Sequence, residues 1–149
     1  MSEDLYVLIR LKKWEVDEKQ RQLADLFRHE EAYIQDLKKM FEELLNEQKL
    51  VAENPEYSFS YDKYAQNYIK KRTELEELLE LTRQRIILVQ DELAILFQEL
   101  KTYEISQENR EKRKAEELKI KEQNKLDEIG LNLHRRRKEE DIQSSEDET

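Results

Sequence analysis

The chain has 149 residues with 27 Lys or Arg against 36 Asp or Glu, a formal net charge of −9, and 42% of its residues are charged. Its hydrophobic share of 37% lies below the globular norm of about 45 to 50%, yet Gly and Pro occur once each, so long helices fit better than an ordinary globular core or a Pro- and Gly-rich disordered chain. With no Cys and only His29 and His134 as histidines, disulfides, thiolate sites and a His-rich metal or catalytic cluster are excluded, and no metal or cofactor is expected.

The N-terminus carries Glu3 and Asp4 where a secretory signal would carry positive charge, and the most apolar stretch, 86–97, is interrupted by Gln90, Asp91 and Glu92. Neither secretion by that route nor a membrane span is expected. Stepping by seven from Ile9 gives Val16, Leu23, Glu30, Leu37, Leu44 and Val51, six of the seven apolar. Leu26, Tyr33 and Met40 widen the stripe. The pattern predicts a first helix over about 4–53, with Ser2 as its N-cap and Glu3 and Asp4 in its positive first turn.

Asn54-Pro55 then ends it, because proline lacks the backbone donor and drives the preceding residue out of the helical region. A bend over 54–60 is expected, with Ser58 and Ser60 as new N-caps. The second helix is expected over about 61–138, with Tyr61, Ala65, Tyr68, Arg72, Leu75, Leu79, Thr82, Ile86, Val89, Leu93, Leu96, Leu100 and Tyr103 alternating by four and three. Folding back antiparallel pairs residue numbers that sum to about 113 and sets Leu5 near residue 108. The fold class is therefore all-α, an antiparallel two-helix coiled-coil hairpin with a longer second helix. The polar run 104–117 is read as the start of an overhang without an intramolecular partner. A narrower stripe of Ala115, Leu118, Leu126, Ile129 and Leu133 continues it, Gly130 is a point where it ends or loosens, and the acidic 139–149 is expected to be a disordered tail.

No catalytic constellation emerges: carboxylates such as Glu74, Glu77 and Glu80 lie on solvated faces, and one Gly cannot build a phosphate loop. An enzyme is not expected. The basic clusters 110–114 and 135–138 are interleaved with or followed by acids, which favours solvated charge or an acidic protein surface over nucleic acid. Tyr61, Tyr64 and Tyr68 fit inward positions near the bend, whereas Tyr57 and Phe59 fall off the pattern and are the better contacts for a partner. Val7, Leu11 and Trp14 form a second stripe on the face opposite Ile9 and Val16. It is covered by the overhang or a second copy, or it inserts into a partner.

The opening Leu5-x-x-Leu8-Ile9-Arg10-Leu11, the run Lys19-Gln20-Arg21-Gln22-Leu23-Ala24, the late Lys121-Glu122-Gln123-Asn124-Lys125-Leu126-Asp127-Glu128-Ile129 and Arg135-Arg136-Arg137 resemble the bacterial flagellar export protein FliJ family. The likeness covers residues 5–138; Gly130 and the acidic tail fit no pattern of that family. It implies a soluble, non-enzymatic stalk of the flagellar type III export apparatus. Such a stalk is cytoplasmic, is held peripherally at the inner face of the cell membrane, and is needed for flagellum assembly and motility; the matched ends of the two apolar stripes predict that the free chain is a monomer. Its implied partners are the export ATPase hexamer, the cytoplasmic part of the export gate and export chaperones. By transfer, Leu5, Leu11, Trp14, Leu118, Leu126, Ile129, Arg135 and Arg136 contact the ATPase ring; the gate contact belongs on the bend half, where Tyr57, Phe59 and Tyr64 are the candidate contacts for the gate or a chaperone. A generic coiled-coil scaffold or tether, or a holdase chaperone, would share the periodicity, although prefoldin-like holdases assemble through strands and no strand pattern is present.

Overall fold

A computed structural model describes residues 5–148, and Ser2, Glu3 and Asp4, expected to cap and charge the first turn, lie outside the described residues. Helix α1 runs Tyr6–Glu53, a 3₁₀ turn η1 covers Pro55–Tyr57, and α2 runs Ser58–Asp147; no strand occurs among the described residues. Asn54 between them has φ −132° and ψ 84°, the extended conformation that a following proline imposes. Its N–H closes the last turn of α1 on the Leu50 carbonyl at 2.9 Å, its side-chain amide donates to the same oxygen at 3.3 Å, and its own carbonyl accepts from Tyr57 N–H at 3.1 Å. Ser58 is already helical and its N–H bonds to the Pro55 carbonyl, so η1 feeds directly into α2. The expected capping role of Ser58 and Ser60 is corrected accordingly, because the backbone of η1 hands on the bonds that a cap would supply.

The described chain divides into two compact units, one of residues 7–101 and one pairing 5–6 with 102–148. The first is an antiparallel two-helix hairpin. Ile9 and Val16 of α1 and Tyr68, Leu79, Ile86 and Val89 of α2 are its buried side chains, with Val89 only 2% exposed. Leu23, Leu37, Leu44 and Val51, together with Leu75, Leu93, Leu96 and Leu100, are half-buried, as a seam between only two helices requires. Pairs across the two helices fix the register. Lys12 reaches Glu99 at 2.7 Å, Lys19 bonds to Glu92, Arg83 reaches Glu30 at 3.3 Å and Gln48 donates to the Tyr61 hydroxyl at 2.9 Å. Their residue numbers sum to 111, 111, 113 and 109, the near-constant sum of an antiparallel pairing.

The second unit corrects the reading of 104–117 as a run without a partner. Leu5 N–H donates to the Gln107 side-chain oxygen at 3.0 Å, Tyr6 Oη donates to the Glu111 carboxylate, and Leu5 and Gln107 are both buried. Helix starts leave N–H groups without intrahelical acceptors, and a glutamine there is worth more than a leucine. A count of apolar residues cannot see that choice. From 111 to 148 every residue is exposed. The helix continues through Gly130, which has no positive φ and open space where a Cβ would stand, and through the acidic stretch to Asp147. The expectation of a disordered tail over 139–149 therefore gives way to helix over 139–147. Charge argued for disorder, but the stretch holds no Gly or Pro, and Ser144 and Ser145 bond back to the carbonyls of Asp141 and Ile142 at 3.2 and 2.8 Å.

Candidate functional site

No group of three or more His, Cys, Asp or Glu side chains suited to a metal occurs among the described residues, and no described helix is long and apolar enough to cross a membrane. The surfaces that could do chemistry are apolar and charged helix faces. Three stand out.

The first lies at the bend of the hairpin. Glu47, Leu50, Val51, Asn54, Tyr57, Ser60, Tyr61 and Tyr64 line a cleft of about 560 Å³. Local sequence builds it: the extended Asn54 swings the chain away from α1, and the short η1 returns it so that Tyr61 and Tyr64, one turn apart on α2, face Leu50 and Val51. Gln48 holds the Tyr61 hydroxyl. Burial raises the Tyr64 phenol above its ordinary value of 10.0, and Glu43 and Glu47 raise it further, so it remains a neutral donor in a negative setting. Tyr57 and Tyr64 thus share one cleft, whereas Phe59 is outside its lining and 84% exposed.

The second is the outward stripe of α1. Val7, Leu11 and Trp14 are exposed, Trp14 at 60%. The tryptophan borders a shallow groove with Glu15, Glu18, Lys19, Arg21, Gln22 and Asp25, where Arg21 pairs with Glu18 at 2.9 Å. Leu5, assigned with this stripe, belongs elsewhere: at 7% exposure and bonded to Gln107 it holds the fold and offers little surface.

The third is the helix from 111 onward. Leu118, Leu126 at 63% exposure, and Ile129 are all open. At about 100° per residue they fall with Leu133 inside an arc of about 80°. Arg135 and Arg136 follow, exposed, one turn on.

The seam ion pairs of Lys12 and Lys19 escaped sequence reasoning, although each lysine stands three residues after a seam position, Ile9 and Val16, where the stripe calls for a partner. Hydrogen bonds accepted by Glu99 and then Glu15 raise the Lys12 ammonium above its ordinary value. Also missed was a stripe of Leu81, Leu88 and Ile95 at seven-residue spacing, which the hairpin leaves exposed. Its signal was present but was masked by the stronger seam pattern.

The family model described as Flagellar FliJ protein matches residues 1–139 of the chain. No curated protein and no solved structure matches it.

Proposed function

The chain belongs to the flagellar FliJ family, a non-catalytic group of flagellar export components, and we propose that it acts as the central stalk of the export ATPase ring. In this reading it is a cytoplasmic protein held peripherally at the inner face of the cell membrane by the export apparatus. It links the ring to the cytoplasmic part of the export gate, escorts export chaperones, and is needed for flagellum assembly and motility. Leu118, Leu126, Ile129, Arg135 and Arg136 contact the ring, and so do Leu11 and Trp14. Leu5 contributes by anchoring the start of α1. Tyr57, Phe59 and Tyr64 serve the gate or a chaperone.

One observation supports this reading above the others: from 111 to 147 every residue of the helix is exposed, and Leu118, Leu126, Ile129 and Leu133 form a periodic apolar stripe along it. Apolar surface repeated along a helix and left open is what a helix-binding partner requires. The test is capture of partners from flagellated cells on the tagged full chain. Recovery of the ATPase hexamer together with the gate is expected; recovery of neither, with unrelated unfolded clients instead, would support the holdase alternative. Free in solution the chain is a monomer. Spin labels at 20 and 93 should stay close when labelled chain is diluted with unlabelled chain, and loss of the short distance would mean an intermolecular dimer.

A further inference from the structure

We propose that the cleft at the bend is a receptor for an arginine side chain presented by a segment of a partner protein. Three tyrosines, Tyr57, Tyr61 and Tyr64, line the cleft together with Glu47. Aromatic faces attract cations and a guanidinium stacks on them, while its planar donors match a carboxylate in a two-point contact. The same chemistry occurs once inside the hairpin, where the Arg72 guanidinium lies 5.7 Å from the centre of the Tyr68 ring.

Charge identifies the occupant. Residues 42–64 carry six acidic side chains, Glu42, Glu43, Glu47, Glu53, Glu56 and Asp62, against two lysines, Lys49 and Lys63. No ion pair within the described residues engages Glu47. Some polar atoms of the cleft are committed: the Tyr61 hydroxyl accepts from Gln48, and the Asn54 amide donates to the Leu50 carbonyl. What the cleft still offers is aromatic ring surface and tyrosine hydroxyls with a carboxylate beside them. An acidic group would meet the Glu47 carboxylate and the acidic excess of 42–64, and a purely apolar one would leave the carboxylate desolvated.

This inference rests on the reading of the bend as a partner contact and names the chemistry of that contact. The test uses the full chain with isotope-labelled tyrosine and a blocked pentapeptide of Gly and Ser around one arginine. A second peptide replaces the arginine by citrulline, its neutral isostere. The arginine peptide should shift the ring signals of Tyr57, Tyr61 and Tyr64 saturably, less so at high salt, and the citrulline peptide should not. Tyr57→Ala and Glu47→Gln should each weaken binding about three- to thirtyfold, with thermal melts little changed because Tyr57 is exposed and Glu47→Gln keeps the size and polarity of a half-buried side chain.

Absence of shifts, or equal shifts with citrulline, overturns the proposal. So does finding that concentrating the chain alone produces the same shifts and that neutralising Arg135, Arg136 and Arg137 removes them, since the occupant is then a second copy. Capture of the gate and of chaperones by Tyr57→Ala separates the two ideas. Unimpaired capture by Tyr57→Ala, with peptide shifts seen on the unaltered chain and weakened in the variant, keeps the arginine site and removes the bend from those contacts. Lost capture without peptide shifts keeps the contact and overturns the arginine receptor.

Discussion

Residues 58–101 and 111–147 belong to the same helix and carry similar periodic apolar side chains, yet they differ in what covers them. In the first stretch Leu79, Ile86 and Val89 are buried against α1, and Lys19 and Lys12 lock Glu92 and Glu99 across the seam. In the second, Leu118, Leu126 and Ile129 are open and no residue is even half-buried. Periodicity decides which face of a helix is apolar; only a partner decides whether that face stabilises the fold. The first stretch buries its apolar face in the hairpin, and the second leaves its apolar face exposed.

The largest effect that can break this contrast is in the seam. Leu79→Ala or Ile86→Ala should destabilise the hairpin by about 2 to 5 kcal/mol, toward the lower end because a two-helix seam stays partly wet. Urea unfolding followed by circular dichroism measures it. A loss within about 0.5 kcal/mol, the level of an ordinary surface site, would erase the difference between the two stretches.

A smaller effect sharpens the register. Glu92→Lys sets like charges against Lys19 and should destabilise by up to about 1 kcal/mol, and adding Lys19→Glu should restore most of it, given the partial exposure of both side chains. Failure of the reversed pair to recover would mean that the pairing of α1 with α2 differs from the one described.

The smallest effect lies where α1 begins. The Tyr6 hydroxyl, and then Gln107, hold the Glu111 carboxyl below its ordinary value of 4.5. A lowered folded-state value means that this contact stabilises above the ordinary value and is lost as pH falls through the lowered one. Tyr6→Phe should move the Glu111 titration, followed by its carboxyl carbon shift, up toward 4.5. An unmoved titration would show that Tyr6 does not donate to it.

Much of this fold is legible in the sequence because a coiled coil writes its contacts at fixed intervals. The run from Ile9 to Val51 and that from Tyr61 to Tyr103 mark the seam, and one proline marks the bend. The illegible parts are polar. Lys12, Lys19 and Gln107 take seam positions through ion pairs or a hydrogen bond, so a hydrophobic pattern passes over them. The acidic residues after Lys138 suggested disorder through their charge, while the lack of any helix breaker after Gly130 pointed the other way. At the bend, Tyr57 stood out by falling off the pattern, but the cleft that joins it to Tyr64 and Glu47 depends on the turn geometry of Asn54 and Pro55, which no periodicity encodes.

The contrast between covered and open apolar faces is tested most directly by Leu118→Ala, Leu126→Ala and Ile129→Ala combined in one chain. Its thermal melt and its capture of the ATPase ring are measured on the same preparation. The melt should stay unchanged apart from a gain of a few tenths of a kcal/mol in helix propensity, and ring capture and motility should be lost. A large fall in melting temperature with ring capture intact would contradict the account, because those three side chains would then be holding the fold together and not waiting for a partner.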